Sequence, residues 1–167
     1  AADFRAVGGF DERFHAGWPE DFHFRLIKTH ATIASTQHAL VVRPVRPAAW
    51  GTSVWQLKNL TFDALLFKTH PQLYRQKIRA TPAWDHYATV TALAACTAGI
   101  GAGSTAIILP SAAAWAVMTA LLCRKRLRGT SRSVSHVAEM IVTSALIPPT
   151  AVFWRLAGAI RFRVRFT

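Results

Sequence analysis

The chain has 167 residues, enough for one modest domain and a few membrane segments. It carries 20 Lys and Arg against 8 Asp and Glu, a net charge of +12 at pH 7, and 51% of its residues are hydrophobic. The basic clusters flank long apolar runs instead of being interspersed along a polar fold, which argues against a nucleic-acid-binding protein. We therefore predict that the partner is a lipid bilayer.

Residues 1–52 contain short, irregular elements. A Gly8-Gly9 turn is followed by a predicted helix over 20–30 and a short buried strand over 39–42. These elements are too few to form a sheet, so we expect their apolar faces to pack against sequence upstream. The chain also opens without an initiator Met or a signal-type apolar stretch, and on that basis we expect a fragment or a truncated gene product.

Residues 53–86 have the apolar spacing of helices. From 53 to 70 the apolar residues recur at intervals of three and four, with Ser53 as the predicted N-cap and Pro71 as the predicted stop. A second short helix, rich in Lys and Arg, is predicted over 72–80. Two interpretations are open: amphipathic helices packed on a soluble core, or helices lying in the headgroup layer of a membrane. The apolar run that follows directly favours the headgroup layer.

Residues 87–123 form a run of 37 residues without Asp, Glu, Lys or Arg. One membrane-spanning helix needs about 20 residues, so the run predicts two transmembrane helices joined by a tight turn in the Gly-rich stretch 99–104. Trp84 and Tyr87 stand at its entrance and suit an interfacial aromatic anchor. Cys96 and Cys123 have no spacing typical of a metal or redox site, so we interpret both as packing residues.

Residues 124–136 form a basic loop that begins Arg124-Lys125-Arg126-Leu127-Arg128. The positive-inside tendency places this loop in the cytoplasm. Because two crossings return the chain to its starting side, we expect residues 1–86 to be cytoplasmic as well. The predicted protein is a multi-pass protein of the plasma membrane.

Residues 137–167 contain the last apolar stretch, 137–154, and a basic tail. The stretch is short, contains Glu139 and is predicted to be broken by Pro148-Pro149. A third crossing would place the four arginines of the tail outside, whereas a re-entrant or interfacial segment keeps every basic cluster inside. We favour the re-entrant or interfacial segment and keep the third crossing as the alternative.

One cluster near the N-terminus has the composition of a site. It consists of the turn Gly8-Gly9-Phe10-Asp11-Glu12 and of Trp18-Pro19-Glu20-Asp21 at a predicted helix start. A Gly-Gly turn lets the backbone approach a ligand closely. Carboxylates in the first turn of a helix are stabilised in their ionised form, which can accept a proton. From these residues alone, an ordinary turn followed by an N-terminal cap is the alternative.

The order and spacing of these residues resemble the acceptor side of family 2 glycosyltransferases. Gly8-Gly9-Phe10-Asp11-Glu12, followed by Glu20-Asp21 and an Arg-Leu pair, is moderately specific for that family. Three later segments are similar to a bacterial membrane-associated subgroup: Arg43-Pro44-Val45-Arg46-Pro47, residues 62–75 and Ile147-Pro148-Pro149. The resemblance thus spans nearly the whole chain.

The resemblance implies a GT-A fold, a nucleotide-sugar donor, a divalent metal (Mg²⁺ or Mn²⁺) and inversion at the anomeric carbon. It implies that Asp21 is the catalytic base, which takes the proton of the acceptor hydroxyl, and that Glu20 orients the acceptor. The implied acceptor-binding residues are Gly8, Gly9, Asp11 and Trp18. The implied contacts to phosphate or acceptor are Arg43, Arg46, Gln56 and Lys58.

Several features depart from the family pattern. The nucleotide-binding half with its Asp-x-Asp metal motif is not in the sequence, so we predict no metal or cofactor site in this chain alone. His23 and Arg43 stand where the family often has an acid and a His. The segment 56–59 matches the Gln-x-x-Arg-Trp motif of processive members only loosely, which argues against polymer synthesis.

The predicted fold is an α-rich, membrane-associated fragment. It comprises the C-terminal remnant of a GT-A α/β domain over 1–52, amphipathic interfacial helices over 53–86 and a transmembrane helical hairpin over 87–123. The predicted function is that of the C-terminal portion of an inverting glycosyltransferase, inactive alone, which transfers a sugar to a membrane-associated or cell-surface acceptor. The alternative is a non-catalytic membrane anchor or partner protein, which would not need Glu20-Asp21.

Overall fold

The computed structural model describes residues 2–29 and 48–165. Over these ranges the chain forms helices and no strand: α1 (Ala2–Ala6), α2 (Trp18–Lys28), α3 (Thr52–Trp55), α4 (Thr61–Thr69), α5 (Pro71–Lys77), α6 (Trp84–Gly101), α7 (Thr105–Leu127) and α8 (Val134–Arg161). The predicted helix-rich class is confirmed for these ranges, and the GT-A α/β remnant stays a prediction. The predicted strand over 39–42, Arg43 and Arg46 lie outside them.

Helix α2 begins at Trp18, two residues before its predicted start. Pro19 fits the first turn because its missing N–H would have no partner within the helix there. Glu20 and Asp21 both fall in this first turn, as predicted. The helix ends at Lys28, where the Thr29 hydroxyl donates a hydrogen bond to the carbonyl of Leu26.

The single helix predicted over 53–70 is divided into α3 and α4 by a 3₁₀ turn at Gln56–Leu60. Helix α3 starts after Gly51, whose φ of 78° is a conformation that glycine adopts readily. The prediction that Ser53 is the N-cap is therefore wrong. Ser53 lies inside α3, and its hydroxyl accepts a hydrogen bond from Arg126 at 3.1 Å.

The head of the molecule, defined as residues 2–29 and 61–77, packs around a small aromatic and aliphatic core. Phe14, Phe24, Leu66 and Tyr74 are buried in this core. The Phe24 ring also meets the imidazole of His70 edge-on, with 5.5 Å between the ring centroids. The core therefore holds α2 against the junction of α4 and α5.

Helices α6 and α7 form a hairpin at the place where two helices were predicted. They are joined by residues 102–104, inside the predicted hinge. Gly99 permits a close approach of the two helices, because a Cβ there would lie 3.0 Å from Cγ2 of Ile107. Of the most apolar 18-residue stretch of α7, only 11% is buried inside the protein. The apolar side chains of this helix therefore mostly face outward.

Within the described part of the chain, two helices are long and apolar enough to cross a membrane, namely α7 and α8. Helix α6 is not one of them, and it carries Asp85 and His86 in its first turn and three threonines further along. These lengths and compositions indicate membrane association. The number of crossings and the cytoplasmic side stay predictions.

Helix α8 runs without interruption through Pro148 and Pro149, so the prediction that these residues break the segment is wrong. Each proline removes one backbone donor and would kink or end an isolated helix. Here Pro148 is buried and lines a small cavity together with Thr89 of α6 and Met118 of α7. Packing against neighbouring helices is what makes proline tolerable inside a helix.

The segment Thr52–Thr69 runs parallel to α8 along most of its length. Three contacts fix this direction: the Gly51 N–H donates to Oε1 of Glu139 (2.8 Å), Thr61 meets Gly158, and Nζ of Lys68 donates to the carbonyl of Phe162 (2.9 Å). The Gly51 N–H thus gives the half-buried carboxylate of Glu139 one hydrogen-bond partner within an apolar helix.

Candidate functional site

The two predicted catalytic carboxylates point in different directions. Glu20 is exposed on the surface of α2, whereas the Asp21 side chain is only 1% exposed. The head core packs on the face of α2 that carries Asp21 and Phe24. The structure therefore places Asp21 inside the head and Glu20 at its surface.

Both oxygens of the Asp21 carboxylate accept a hydrogen bond. Nε of Arg25, one turn further along α2, donates to Oδ2 at 2.9 Å. Nε2 of His70, at the junction of α4 and α5, donates to Oδ1 at 2.9 Å. A carboxylate accepts up to about four hydrogen bonds, so the two bonds leave lone pairs unused.

Arg25 connects Asp21 to the glycine turn. Its two terminal nitrogens donate to the carbonyls of Val7 and Gly9, the second at 2.7 Å. Gly8 and Gly9 have φ values of 77° and 68°, which bring both carbonyls toward Arg25 and which residues other than glycine rarely adopt. The structure thus brings the predicted residues Gly8, Gly9 and Asp21 together through one guanidinium.

His70 is part of this site, although sequence reasoning gave it no role. Its side chain is 2% exposed, and burial lowers the pKa of the imidazole below its usual value, against the opposing effect of Asp21. A neutral ring that donates from Nε2 leaves Nδ1 as an acceptor, and Nδ1 has no hydrogen-bond partner among the described residues. The sequence signal was weak, since His70 is one of seven scattered histidines.

His70 also lies at the edge of a cleft of about 320 Å³ between α2 and α5. The cleft is lined by Ile27, Lys28, His70 and Gln72, among others, and Asp21 does not line it. A ligand that enters this cleft therefore reaches the His70 ring before it reaches Asp21.

Asp11 and Trp18, predicted to bind the acceptor, lie on the outer side of the same turn. The Asp11 carboxylate pairs with the Arg13 guanidinium at 2.6 Å, and that hydrogen bond lowers the pKa of Asp11. The Trp18 ring meets the ring of Phe10 edge-on at 4.8 Å, and both rings are partly exposed. Within the described residues, neither the Asp11 carboxylate nor the Trp18 ring forms a hydrogen bond with Asp21.

Gln56 and Lys58 do not join the site. Both are exposed on the 3₁₀ turn, which packs along α8. From Lys58 to His70 the helical segment rises about 18 Å, at about 1.5 Å per residue. The structure therefore does not bring Gln56 and Lys58 together with Asp21, and their phosphate or acceptor contacts stay a prediction.

A second polar cluster joins the head to α8. The Asp63 carboxylate lies 3.6 Å from the Arg155 guanidinium and 3.4 Å from the Tyr74 hydroxyl. Burial raises the pKa of Asp63, against the opposing effect of Arg155, and raises the pKa of Tyr74 to about 12. Sequence reasoning missed this cluster because its members come from three helices.

Among the described residues, no group of three His, Cys, Asp or Glu side chains is arranged to hold a metal ion. No protein-family model, curated protein or solved structure matches the chain. The resemblance to family 2 glycosyltransferases therefore rests on the sequence motifs alone.

Proposed function

We propose that the chain is the acceptor-side, membrane-anchored portion of an inverting family 2 glycosyltransferase. In this proposal the enzyme transfers a sugar from a nucleotide-sugar donor to a membrane-associated or cell-surface acceptor. The donor would be held by a nucleotide-binding half that these residues do not contain, where a divalent metal, Mg²⁺ or Mn²⁺, would neutralise its diphosphate. The chain is inactive without that half.

The observation that supports the proposal most is the connection made by Arg25. The glycine turn and the Glu20-Asp21 pair are the two parts of the motif, with ten residues between Gly9 and Glu20. One guanidinium binds the carbonyls of the turn and the carboxylate of Asp21 together. An acceptor bound beside the turn would therefore lie close to Asp21.

In the proposed reaction, an oxygen of Asp21 accepts the proton of the acceptor hydroxyl as that hydroxyl attacks the anomeric carbon. The bond between that carbon and the phosphate oxygen of the donor breaks, and the nucleoside diphosphate leaves. Asp21 is 1% exposed in the chain as it stands, so this proposal requires a neighbouring side chain to move before the acceptor hydroxyl can reach the carboxylate. A small displacement of the His70 ring would free Oδ1, and the second half of the enzyme would then enclose the reacting groups.

A non-catalytic membrane anchor or partner protein is the second candidate, and one observation favours it. Both oxygens of Asp21 are already engaged, and the residue is 1% exposed, as expected for a carboxylate that stabilises the head. A purely structural Asp21 would tie the glycine turn to α2 without any chemistry.

The exchange Asp21→Asn in the full-length enzyme separates the two candidates. We expect turnover to fall by at least about a hundredfold, since a general base contributes roughly 10²–10⁴-fold, while binding of the nucleotide-sugar survives. The assay follows transfer of a radiolabelled sugar to lipid extract, and the matched control is Asp85→Asn, an exposed acid on α6. Near-wild-type turnover in a correctly folded Asp21→Asn enzyme would exclude Asp21 as the base.

We also propose a membrane arrangement in which the α6–α7 hairpin enters the bilayer and α8 lies flat in the headgroup layer. The opposite faces of α8 support this arrangement. One face packs on the head and the hairpin, and the other carries an exposed apolar stripe, the α8 stripe: Val142, Leu146, Phe153, Leu156 and Ile160. A stripe of this kind suits an interfacial helix that lies in the membrane surface.

The polar residues beside α8 are the stronger argument against a third crossing. The 3₁₀ turn runs alongside the middle of α8 and exposes Gln56, Lys58 and Asn59. If α8 crossed the bilayer, these side chains would lie near its midplane, where one Lys costs about 3 kcal/mol or more. A flat α8 keeps them in water.

A further inference from the structure

A groove of about 1010 Å³ lies between the second half of α7 and the start of α8. Apolar side chains form most of its wall: Trp115, Ala116, Ala120, Leu127, Val137 and Ile141. From Trp115 to Arg124 the wall extends for about 14 Å along the axis of α7, at about 1.5 Å per residue. The groove therefore has the length and the surface to take an apolar chain.

Three arginines, Arg124, Arg128 and Arg132, line one end of this groove, which we call its rim. Arg124 and Arg128 lie one turn apart at the end of α7, and Arg132 follows in the loop before α8. All three are exposed, and none belongs to an ion pair formed within residues 2–29 and 48–165. Among the described residues, no carboxylate lines the groove; Glu139 is not among its lining residues, and its Oε1 accepts the N–H of Gly51.

The charge of the rim and the apolar wall together define the ligand. A guanidinium recognises phosphate through two parallel hydrogen bonds, and three guanidinium groups at one end favour a headgroup with negative charge. A soluble anion would leave the apolar wall exposed, and a neutral lipid would leave the arginines unpaired. Basic pockets between membrane helices are sites for anionic lipids.

We propose that this groove binds an anionic phospholipid of the bilayer, with the phosphate and headgroup at Arg124, Arg128 and Arg132 and one acyl chain along α7. This inference rests on the membrane association proposed above and not on sugar transfer. The bound lipid would fill the space between α7 and α8 at the base of the hairpin.

The test compares lipid binding to the full chain in nanodiscs of phosphatidylcholine with and without phosphatidylglycerol of the same acyl chains. Native mass spectrometry of the released protein counts the lipids that stay bound. We expect at least tenfold retention of phosphatidylglycerol over phosphatidylcholine. Exchanging the three rim arginines for Gln should reduce this preference at least fivefold. The control is a triple variant that removes the same charge from the tail and should preserve the preference: Arg161→Gln, Arg163→Gln and Arg165→Gln.

A second variant tests the acyl chain without changing any charge. Ala120→Phe places a ring in the groove and should reduce phosphatidylglycerol retention at least fivefold, while its helix content by circular dichroism stays unchanged. If the rim triple variant misfolds, Arg128→Gln replaces it, with an expected two- to threefold loss.

Three outcomes would overturn the inference. The first is an equal loss of phosphatidylglycerol retention in the two arginine triple variants, which would mean that the lipid is attracted by the overall positive charge. The others are unchanged phosphatidylglycerol retention in Ala120→Phe and equal retention of the two lipids by the wild type. A chain that enters neither nanodisc would overturn this inference together with the proposed membrane association. A chain that enters both nanodiscs without a preference overturns the inference alone and leaves the proposed function standing.

Discussion

Arg25 shows how much of the head depends on a single side chain. A planar guanidinium can donate in several directions at once, and Arg25 uses this geometry to reach two backbone carbonyls and one carboxylate. Lys could donate in only one compact region and would not reach all three groups. The carboxylate of Asp21 in turn receives the His70 ring, so loss of Arg25 would leave a buried charge with one partner fewer.

The exchange Arg25→Gln should therefore lower the free energy of unfolding by about 2–4 kcal/mol. The matched control is Arg13→Gln, because within the described ranges Arg13 forms its ion pair with the nearby Asp11 at the surface and should contribute less than about 1 kcal/mol. Denaturant unfolding of both variants in the same detergent measures the difference. Equal effects would mean that the hydrogen bonds of Arg25 do not stabilise the head.

At the residue scale, the sequence predicted the order of the motif but not the burial of its members. Two adjacent acids in a first helical turn look alike in a sequence. Which one faces inward depends on where α4 and α5 pack, and no local pattern contains that information. For the same reason the role of His70, 49 residues from Asp21, was missed.

The contact between α4 and α8 depends on the smallest side chain available. A Cβ added at Gly158 would lie 2.6 Å from the carbonyl oxygen of Thr61 and 3.2 Å from Cβ of Ala64. Since the nearest atom belongs to the backbone, the helices would have to move apart. That separation would also disturb the neighbouring pair of Asp63 and Arg155.

We expect Gly158→Ala to destabilise the protein by about 1–3 kcal/mol, the usual cost of overpacking. Gly101→Ala is the control, because an added Cβ there meets nothing within 4 Å and the exchange should be neutral or stabilising by up to about 1 kcal/mol. Thermal unfolding of the two variants in detergent gives the comparison. A Gly158→Ala protein as stable as the wild type would show that the two helices can separate without cost.

At the element scale, the sequence predicted helices best where a physical limit acts along the chain. A run too long for one span, with glycines in the middle, has to turn there, and residues 102–104 are where it does. The prolines of α8 were interpreted from local rules alone. Their tolerance depends on packing with the hairpin, which a single segment does not reveal.

At the scale of the whole molecule, the parallel arrangement of Thr52–Thr69 and α8 decides how the chain can meet a membrane. Composition and length alone allow α8 to cross. Its neighbour is too polar in its middle turn to follow it into the hydrocarbon, and the two are held together at both ends by Glu139 and Lys68. The exposed apolar stripe of α8 suits a flat orientation, and the contacts with its polar neighbour are the stronger argument for it.

Single cysteines in a variant without the two native ones test this orientation, through labelling with a membrane-impermeant maleimide from either side of sealed vesicles. If α8 lies flat, Ser135→Cys, Gln56→Cys and Arg165→Cys should all react from the same side, because the two ends of α8 and the 3₁₀ turn are then in one aqueous phase. Ala102→Cys at the tip of the hairpin should react only from the opposite side, provided that the hairpin crosses fully. The opposite result would be labelling of Ser135→Cys and Arg165→Cys from opposite sides, with Gln56→Cys protected. It would show that α8 crosses the bilayer and carries its polar neighbour into it.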